Sequence, residues 1–380
     1  MGVAQCYNIA DLRVLAKRRA HKMVFDYIDG GADDEVTLVR NSSDFAHYDL
    51  VHRALVGQRD IDLSCSLLGM ELAVPFFCGP TAGNRLFHKH GERAVTRAAH
   101  AAGTACSLST LASVSIEEVA ALTPGPKIFQ LYVWKDKGLV KEMLQRAKVA
   151  GFHAMALTVD LSVHGNRERD LYNGLTIPPT IRAKQVFQAL TKPAWTYDFL
   201  TSQPIRYANF NREQKTESLM EFVGEQLDPN FSWRDAEAYR AMWDGPAVLK
   251  GIVHPGDAKR AIECGYDAVA VSNHGGRQLD ADISPITALP TIVECLGGSA
   301  PIILDGGIRR GTDIIKALCL GAAAVSFGRP YLYGLAAGGQ AGVERALTLL
   351  TEELKRSMTL LGARSIKELT QEFLKQRDMP

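Results

Sequence analysis

The stretch Asp267-Ala268-Val269-Ala270-Val271-Ser272-Asn273-His274-Gly275-Gly276-Arg277-Gln278-Leu279-Asp280 begins as an apolar, β-branched run and ends as a polar loop. The run has the pattern of a buried strand. His274 and Arg277 therefore stand just past its C-terminal end, and the two glycines between them let the backbone turn sharply and approach a ligand. Arginine grips a carboxylate with a planar fork. Histidine takes up a proton near neutral pH. Together they suit a substrate whose carboxylate lies beside a carbon to be deprotonated or oxidised. Taken alone, His-x-x-Arg is more simply a surface turn with a stray histidine. The rest of the chain decides.

Seven further short apolar runs surround this one: Val74–Cys78, Thr104–Leu108, Lys127–Tyr132, Ala154–Val159, Ala247–Leu249, Pro301–Leu304 and Ala323–Phe327. With Ala268–Ser272 they make eight strands. Helical patterns lie between most of them, at Gly91–Ala102, Lys137–Ala150, Asp257–Cys264 and Thr312–Leu320. Gly103, Gly151, Gly265 and Gly321 stand where helices should end. Eightfold strand–helix alternation predicts an α/β fold, a (β/α)8 TIM barrel, spanning 1–380 as one domain. An insertion from about Leu161 to Gly245 separates strands four and five. Residues 1–70 form a partly helical N-terminal extension.

In such a barrel chemistry gathers at the C-terminal ends of the strands. Those ends here carry Pro80-Thr81-Ala82, Ser109-Thr110, Gln130 with Tyr132, Thr158 with Asp160 and Arg167, Lys250, the His274/Arg277 loop, Asp305-Gly306-Gly307-Ile308-Arg309, and Gly328-Arg329. Nearly every end is polar, which a barrel with no site would not require. The last two loops pair exposed glycine N–H groups with Arg309 and Arg329, an arrangement suited to a phosphate. No Gly-x-Gly-x-x-Gly occurs, so the dinucleotide-binding fingerprint is absent. Lys250 alone would also fit a Schiff-base lysine of a barrel aldolase.

Composition narrows the classes. The formal net charge of +1 over 380 residues gives no general attraction to nucleic acid. The seven cysteines are scattered without a Cys-x-x-Cys pair, which argues against structural zinc or a disulfide framework. The N-terminus lacks a basic-then-apolar leader, and no apolar run approaches the length of a membrane-spanning helix.

Five motifs together resemble the FMN-dependent 2-hydroxy acid dehydrogenase/oxidase family, which includes glycolate oxidase and the bacterial L-lactate and L-mandelate dehydrogenases. They are Phe25-Asp26-Tyr27-Ile28-Asp29-Gly30-Gly31-Ala32, Phe129–Tyr132, Leu157–Asp160, Ser272–Asp280 and Leu304–Thr312. The resemblance runs from Tyr7 to about Leu369. It implies FMN, with its phosphate at Asp305, Gly306, Gly307, Arg309, Gly328 and Arg329. Pro80, Thr81, Ala82, Ser109, Gln130, Thr158 and Ser272 are implied to be cofactor-binding, and Lys250 to be a cation at the flavin ring edge. Arg167 and Arg277 are implied to hold the substrate carboxylate, with Tyr27 and Tyr132 orienting it. His274 is implied to be the catalytic base, with Asp160 stabilising its imidazolium. Whether C2 loses a hydride or a proton stays open.

The pattern also departs. The short-chain oxidases of the family tend to carry tryptophan two residues after the flavin-contacting serine. This chain has Leu111, which should reshape the substrate pocket and points toward the bacterial dehydrogenases, whereas Ala82 leans toward the oxidases. Residues 176–215 hold six basic side chains (Arg182, Lys184, Lys192, Arg206, Arg212, Lys215) against Asp198 and Glu213, a net of +4. Val186, Phe187, Leu190, Trp195, Tyr197, Phe199 and Leu200 interleave with them. Such a segment can lie on an anionic bilayer without crossing it. The expectation is thus oxidation of an (S)-2-hydroxy acid, L-lactate ahead of L-mandelate. Electrons would pass to a quinone or other acceptor, from a protein peripheral to the cytoplasmic face of the inner membrane. A soluble oxidase producing hydrogen peroxide is the alternative. The family suggests a homotetramer.

Overall fold

The structure is a computed structural model that describes residues 2–57, 60–175, 189–210 and 219–377. Eight parallel strands close into a barrel: β1 (Phe76–Cys78), β2 (Cys106–Ser109), β3 (Lys127–Tyr132), β4 (Ala154–Thr158), β5 (Ala247–Ile252), β6 (Ala268–Val271), β7 (Ile302–Asp305) and β8 (Ala324–Phe327). Each falls on one of the eight apolar runs, with no end moved by more than three residues and Lys127–Tyr132 unchanged. The four marker glycines all have positive φ. At each, the glycine N–H and the next N–H bond back to the helix that has just ended, as in Gly103 to the His100 carbonyl (2.9 Å) and Thr104 to the Ala99 carbonyl (3.0 Å). This is the left-handed cap that glycine adopts without Cβ strain, and here it turns a helix directly toward the next strand.

Alternate strand residues face the barrel axis. The inner layer is built of small or slim side chains, among them Ala105, Ile128, Ala154, Ala156, Val248, Ala268, Ala270, Ile303 and Ala324. A short antiparallel hairpin, Cys65–Leu67 with Met70–Leu72, packs Leu67, Met70 and Leu72 into the same cluster and closes the N-terminal mouth. Counting on by twos from these alanines and aliphatics reaches Ser109, Gln130, Tyr132, Thr158, Lys250, Ser272, Asp305 and Ser326. The period of the strand thus places a polar layer on top of an apolar one.

The N-terminal extension supplies α1 (Ile9–Arg19), α2 (Lys22–Asp29) and α3 (Val36–Ser43). Asn8 caps α1 by accepting from the Asp11 N–H at 2.8 Å. The helix buries Ile9, Leu12 and Ala16, spaced as one face, against the long C-terminal helix Arg329–Leu361, which kinks at Gly338–Gly339. Burying Leu12 alone contributes about 2 kcal/mol. That docking sets α2 over the C-terminal mouth of the barrel, where Tyr27 is needed.

The insertion differs in part from its reading as a surface segment. Trp195 is buried: its indole N–H donates to the Leu86 carbonyl at 2.9 Å, and its ring stacks on Phe199 at 5.1 Å. Lys192 donates to the carbonyls of Lys17 and Arg18 at the end of α1, a position the helix dipole favours. Leu190, Tyr197 and Leu200 do stay exposed. Arg182, Lys184, Val186, Phe187, Arg212, Glu213 and Lys215 lie outside the described residues.

Candidate active site

The polar layer is wired across neighbouring strands. Ser109 Oγ donates to Gln130 Oε1 and Gln130 Nε2 to Thr158 Oγ1, both at 3.0 Å. On the other side Lys250 Nζ lies 2.9 Å from Ser272 Oγ and 2.7 Å from Asp305 Oδ2. Ser272 Oγ donates to the same carboxylate at 2.7 Å, and Ser326 also donates to it. Burial opposes the Lys250 charge, but Asp305 and Asp160 outweigh it and hold its pKa above the ordinary value. An imine-forming lysine needs the reverse shift, so this geometry disfavours the aldolase reading. Asp305 lines the cleft, yet its carboxylate is committed to Lys250 and two serines. Its place in an anion cradle is confined to its backbone.

His274 hangs from the β6 loop with φ +58°, a left-handed conformation that costs a non-glycine residue about 1 kcal/mol or more. Its Nδ1 lies 2.8 Å from Asp160 Oδ1, which leaves Nε2 for chemistry. Tyr132 stacks over the imidazole with ring centroids 6.2 Å apart. Burial pulls the His274 pKa below its ordinary value. Asp160 opposes this, and Lys250 and Arg167 reinforce it. The imidazole is therefore neutral at neutral pH, as a base must be.

Asp160 reaches His274 because β5 carries an irregularity at Lys250–Ile252. Gly251 sits there with φ +101°, and a Cβ on it would lie 2.6 Å from the Asp160 Cγ. Gly251→Ala should therefore displace the carboxylate and strain the backbone by about 1–2 kcal/mol. The expected result is a lowered Tm together with a large loss of flavin reduction, read by thermal melting and stopped-flow absorbance. Unchanged reduction would refute the contact.

Four arginines meet in the cleft: Arg167, Arg277, Arg309 and Arg329. Among the described residues none of the four is paired with a carboxylate. They are held by neutral oxygens instead. Arg329 donates to the carbonyls of Ile28, Gly275 and Gly30 at 2.8–2.9 Å. Arg277 donates to the Tyr27 carbonyl at 2.6 Å and lies 4.8 Å over the Tyr27 ring. Arg167 donates to the Arg277 carbonyl (3.3 Å) and to Gln278 Oε1 (3.1 Å). Burial lowers the Arg329 pKa to about 9 and also lowers that of Arg167. Buried, uncompensated guanidiniums are costly unless anions complete them.

These arginines fall into two groups. Arg309 and Arg329 flank Gly306, Gly307 and Gly328, beside the start of Arg329–Leu361, whose N-terminus has no side-chain cap. By contrast, the loop leading into helix Gly311–Cys319 has its Arg309 and Arg310 amides taken by Asp313, and the Gly311 amide goes to Glu353. The uncapped end, with two arginines and three glycines, fits a phosphate. Arg167 and Arg277 lie with His274 and fit a carboxylate.

The cleft is open to solvent and, counted with that open space, spans about 1190 Å³. Its walls include Tyr27, Pro80, Thr81, Ala82, Leu111, Gln130, Tyr132, Thr158, Arg167, Lys250, His274, Arg277, Asp305, Gly306, Gly307, Arg309, Gly328 and Arg329. Ser109, Asp160 and Ser272 stand just behind that wall, holding Gln130, His274 and Lys250.

The model for FMN-dependent dehydrogenases matches residues 16–376. The chain belongs to this family. It is an FMN-dependent enzyme that oxidises 2-hydroxy acids. An L-lactate dehydrogenase of Vibrio cholerae is 40% identical over 372 residues, 97% of this chain and 98% of the relative. An L-lactate oxidase of Nostoc sp. is 43% identical over 97% of both chains. A solved structure of (S)-mandelate dehydrogenase, described as a monotopic membrane protein, superposes with a TM-score of 0.94 at 38% identity, covering 98% of this chain and all of that one.

Sequence reasoning missed part of the wall and a brace behind it. The brace is Gln278, whose motif gives it no evident task. It accepts from Arg167 and donates to the Asp160 and Val163 carbonyls, tying the loops after β4 and β6 together. Phe87, Leu161, His164, Tyr207 and Val223 also line the cleft. Tyr207 and Val223 come from the insertion, remote from any strand end, and Phe87 from the loop after β1; no local motif marks them.

Proposed function

We propose that the chain, acting as a single domain, oxidises an (S)-2-hydroxy acid to the 2-keto acid, with L-lactate favoured and L-mandelate close behind. One observation carries the reading: a neutral, carboxylate-backed imidazole stands beside two guanidiniums that have no carboxylate partner among the described residues. Arg167 and Arg277 take the substrate carboxylate, with Tyr27 and Tyr132 beside them. His274 Nε2 accepts a proton from the substrate, and Asp160 stabilises the imidazolium so formed. Arg309, Arg329 and the three glycines hold the FMN phosphate, and Lys250 provides a fixed positive charge on the wall that receives the ring. FMN bound there supplies the two-electron acceptor.

For electrons leaving the enzyme, a quinone is the favoured acceptor. Val163, Leu171, Tyr172, Leu190, Tyr197 and Leu200 are all exposed on the loop after β4 and the insertion. Apolar and aromatic groups so placed suit attachment to one face of an anionic membrane. The relative described as monotopic supports this, and no helix among the described residues is long and apolar enough to cross a bilayer. The Nostoc oxidase and Ala82 favour a second reading, in which oxygen is the acceptor.

Anaerobic mixing with L-lactate and, separately, (S)-mandelate tests the substrate. Bleaching of the visible flavin absorbance by one acid is expected, and bleaching by neither would overturn both assignments. The pH profile offers a further check. Because the His274 pKa is depressed in the free enzyme, kcat/KM should stay level as pH falls to about 6.5 and decline only below it. A decline beginning well above pH 7 would contradict the neutral base.

A further inference from the structure

The cleft contains a polar group for which the carboxylate and the reacting carbon give no use. Tyr207 lies in the insertion, is only 3% exposed, and lines the cleft. Its hydroxyl has no hydrogen-bond partner among the described residues and is not sealed from the cleft, so it is available to a bound molecule. It shares its electrostatic environment with Tyr27, Tyr132 and Arg167, so it faces the same space as the substrate-binding groups.

Its position is fixed by backbone. The Ala208 N–H donates to the Ala112 carbonyl at 2.9 Å. Asn209, fully buried, donates to the carbonyls of Ser109 and Thr110 and accepts from the Ile116 N–H at 3.0 Å. The segment is therefore stitched to the loop after β2, the loop that presents Leu111. A phenol held this firmly, in a cleft whose lining also includes Leu111, Phe87, Leu161, His164 and Val223, is preorganised for one polar atom.

We infer that Tyr207 is a specificity-determining residue, which donates a hydrogen bond to an uncharged oxygen on the side chain of the substrate. Within the lactate type or the mandelate type, the member bearing a second hydroxyl or carbonyl group beyond C2 is then the better substrate. A second carboxylate fits less well. Arg167 and Arg277 serve the first carboxylate, so a second charge beside Tyr207 would be buried without a counter-ion of its own. His164, which also lines the cleft, is an uncharged imidazole at neutral pH, because desolvation with Arg167 and His274 nearby lowers its pKa to about 4. A site built to hydrogen-bond a substrate oxygen discriminates strongly against the analogue lacking it, because its own donor is then left unpaired.

This inference rests on the proposed oxidation of 2-hydroxy acids, and the experiment separates the two. The FMN-loaded enzyme and its Tyr207→Phe variant are each mixed anaerobically with matched pairs: L-lactate and L-glycerate, (S)-2-hydroxybutanoate and (S)-2,4-dihydroxybutanoate, (S)-mandelate and (S)-4-hydroxymandelate. In at least one pair the parent enzyme should favour the oxygen-bearing member in kcat/KM. Tyr207→Phe should lower kcat/KM for that member about tenfold or more, mainly through KM, and leave the plain member within about twofold. Equal loss on both members of every pair, or no loss on either, overturns the role of Tyr207 while the oxidation itself stands. Absence of flavin bleaching by all six acids overturns the oxidation, and this inference with it.

Discussion

Replacing His274 with glutamine should slow flavin reduction about a thousandfold while bound FMN keeps its visible spectrum. Glutamine offers an amide of similar reach, so contact with Asp160 can persist, but it accepts no proton at neutral pH. It also pays the same left-handed backbone cost that His274 pays at φ +58°, so the loop is asked for nothing new. FMN retention is expected because the phosphate cradle lies on the loops after β7 and β8 and meets the β6 loop through the Gly275 carbonyl, which the substitution leaves in place. Anaerobic stopped-flow with saturating 2-hydroxy acid measures the step directly. Reduction at the parent rate would remove His274 from the reaction. Loss of FMN would instead show that the loop after β6 supports the cofactor.

The barrel was legible because its signals are local. Each strand is a short apolar run, and each of four helices stops at a glycine that must take positive φ. The strand-end residues followed, since the fold puts them on one rim. The parity of the strands then decides which of them face inward. What stayed hidden needed contacts between distant segments. Tyr207 meets the cleft because Ala208 and Asn209 are bound to the loop after β2, links across about a hundred residues that no periodicity records. Trp195 looked like a membrane-facing aromatic because composition cannot say which side of a helix meets the core. Asp305 stood in a phosphate-like motif, yet Lys250, two strands away, claims its carboxylate.

Replacing Arg277 with lysine should raise KM for a 2-hydroxy acid roughly a hundredfold and change kcat much less. The substrate carboxylate carries the same charge before and after the reacting carbon is oxidised. A group that binds it therefore contributes equally to the ground and transition states, and its loss appears in KM. Lysine keeps the positive charge but not the planar fork, and a lost charge-assisted hydrogen bond is worth about 2–3 kcal/mol. Arg277 also donates to the Tyr27 and Gly30 carbonyls. Lysine would loosen the end of α2 as well, lowering stability by about 1 kcal/mol. Arg329 still holds Gly30, so α2 should remain docked and FMN bound. Steady-state kinetics across a wide substrate range separates the two parameters. An unchanged KM would deny Arg277 the carboxylate. An equal fall in kcat and kcat/KM would move its role to the transition state, where only a developing charge near the imidazole could use it.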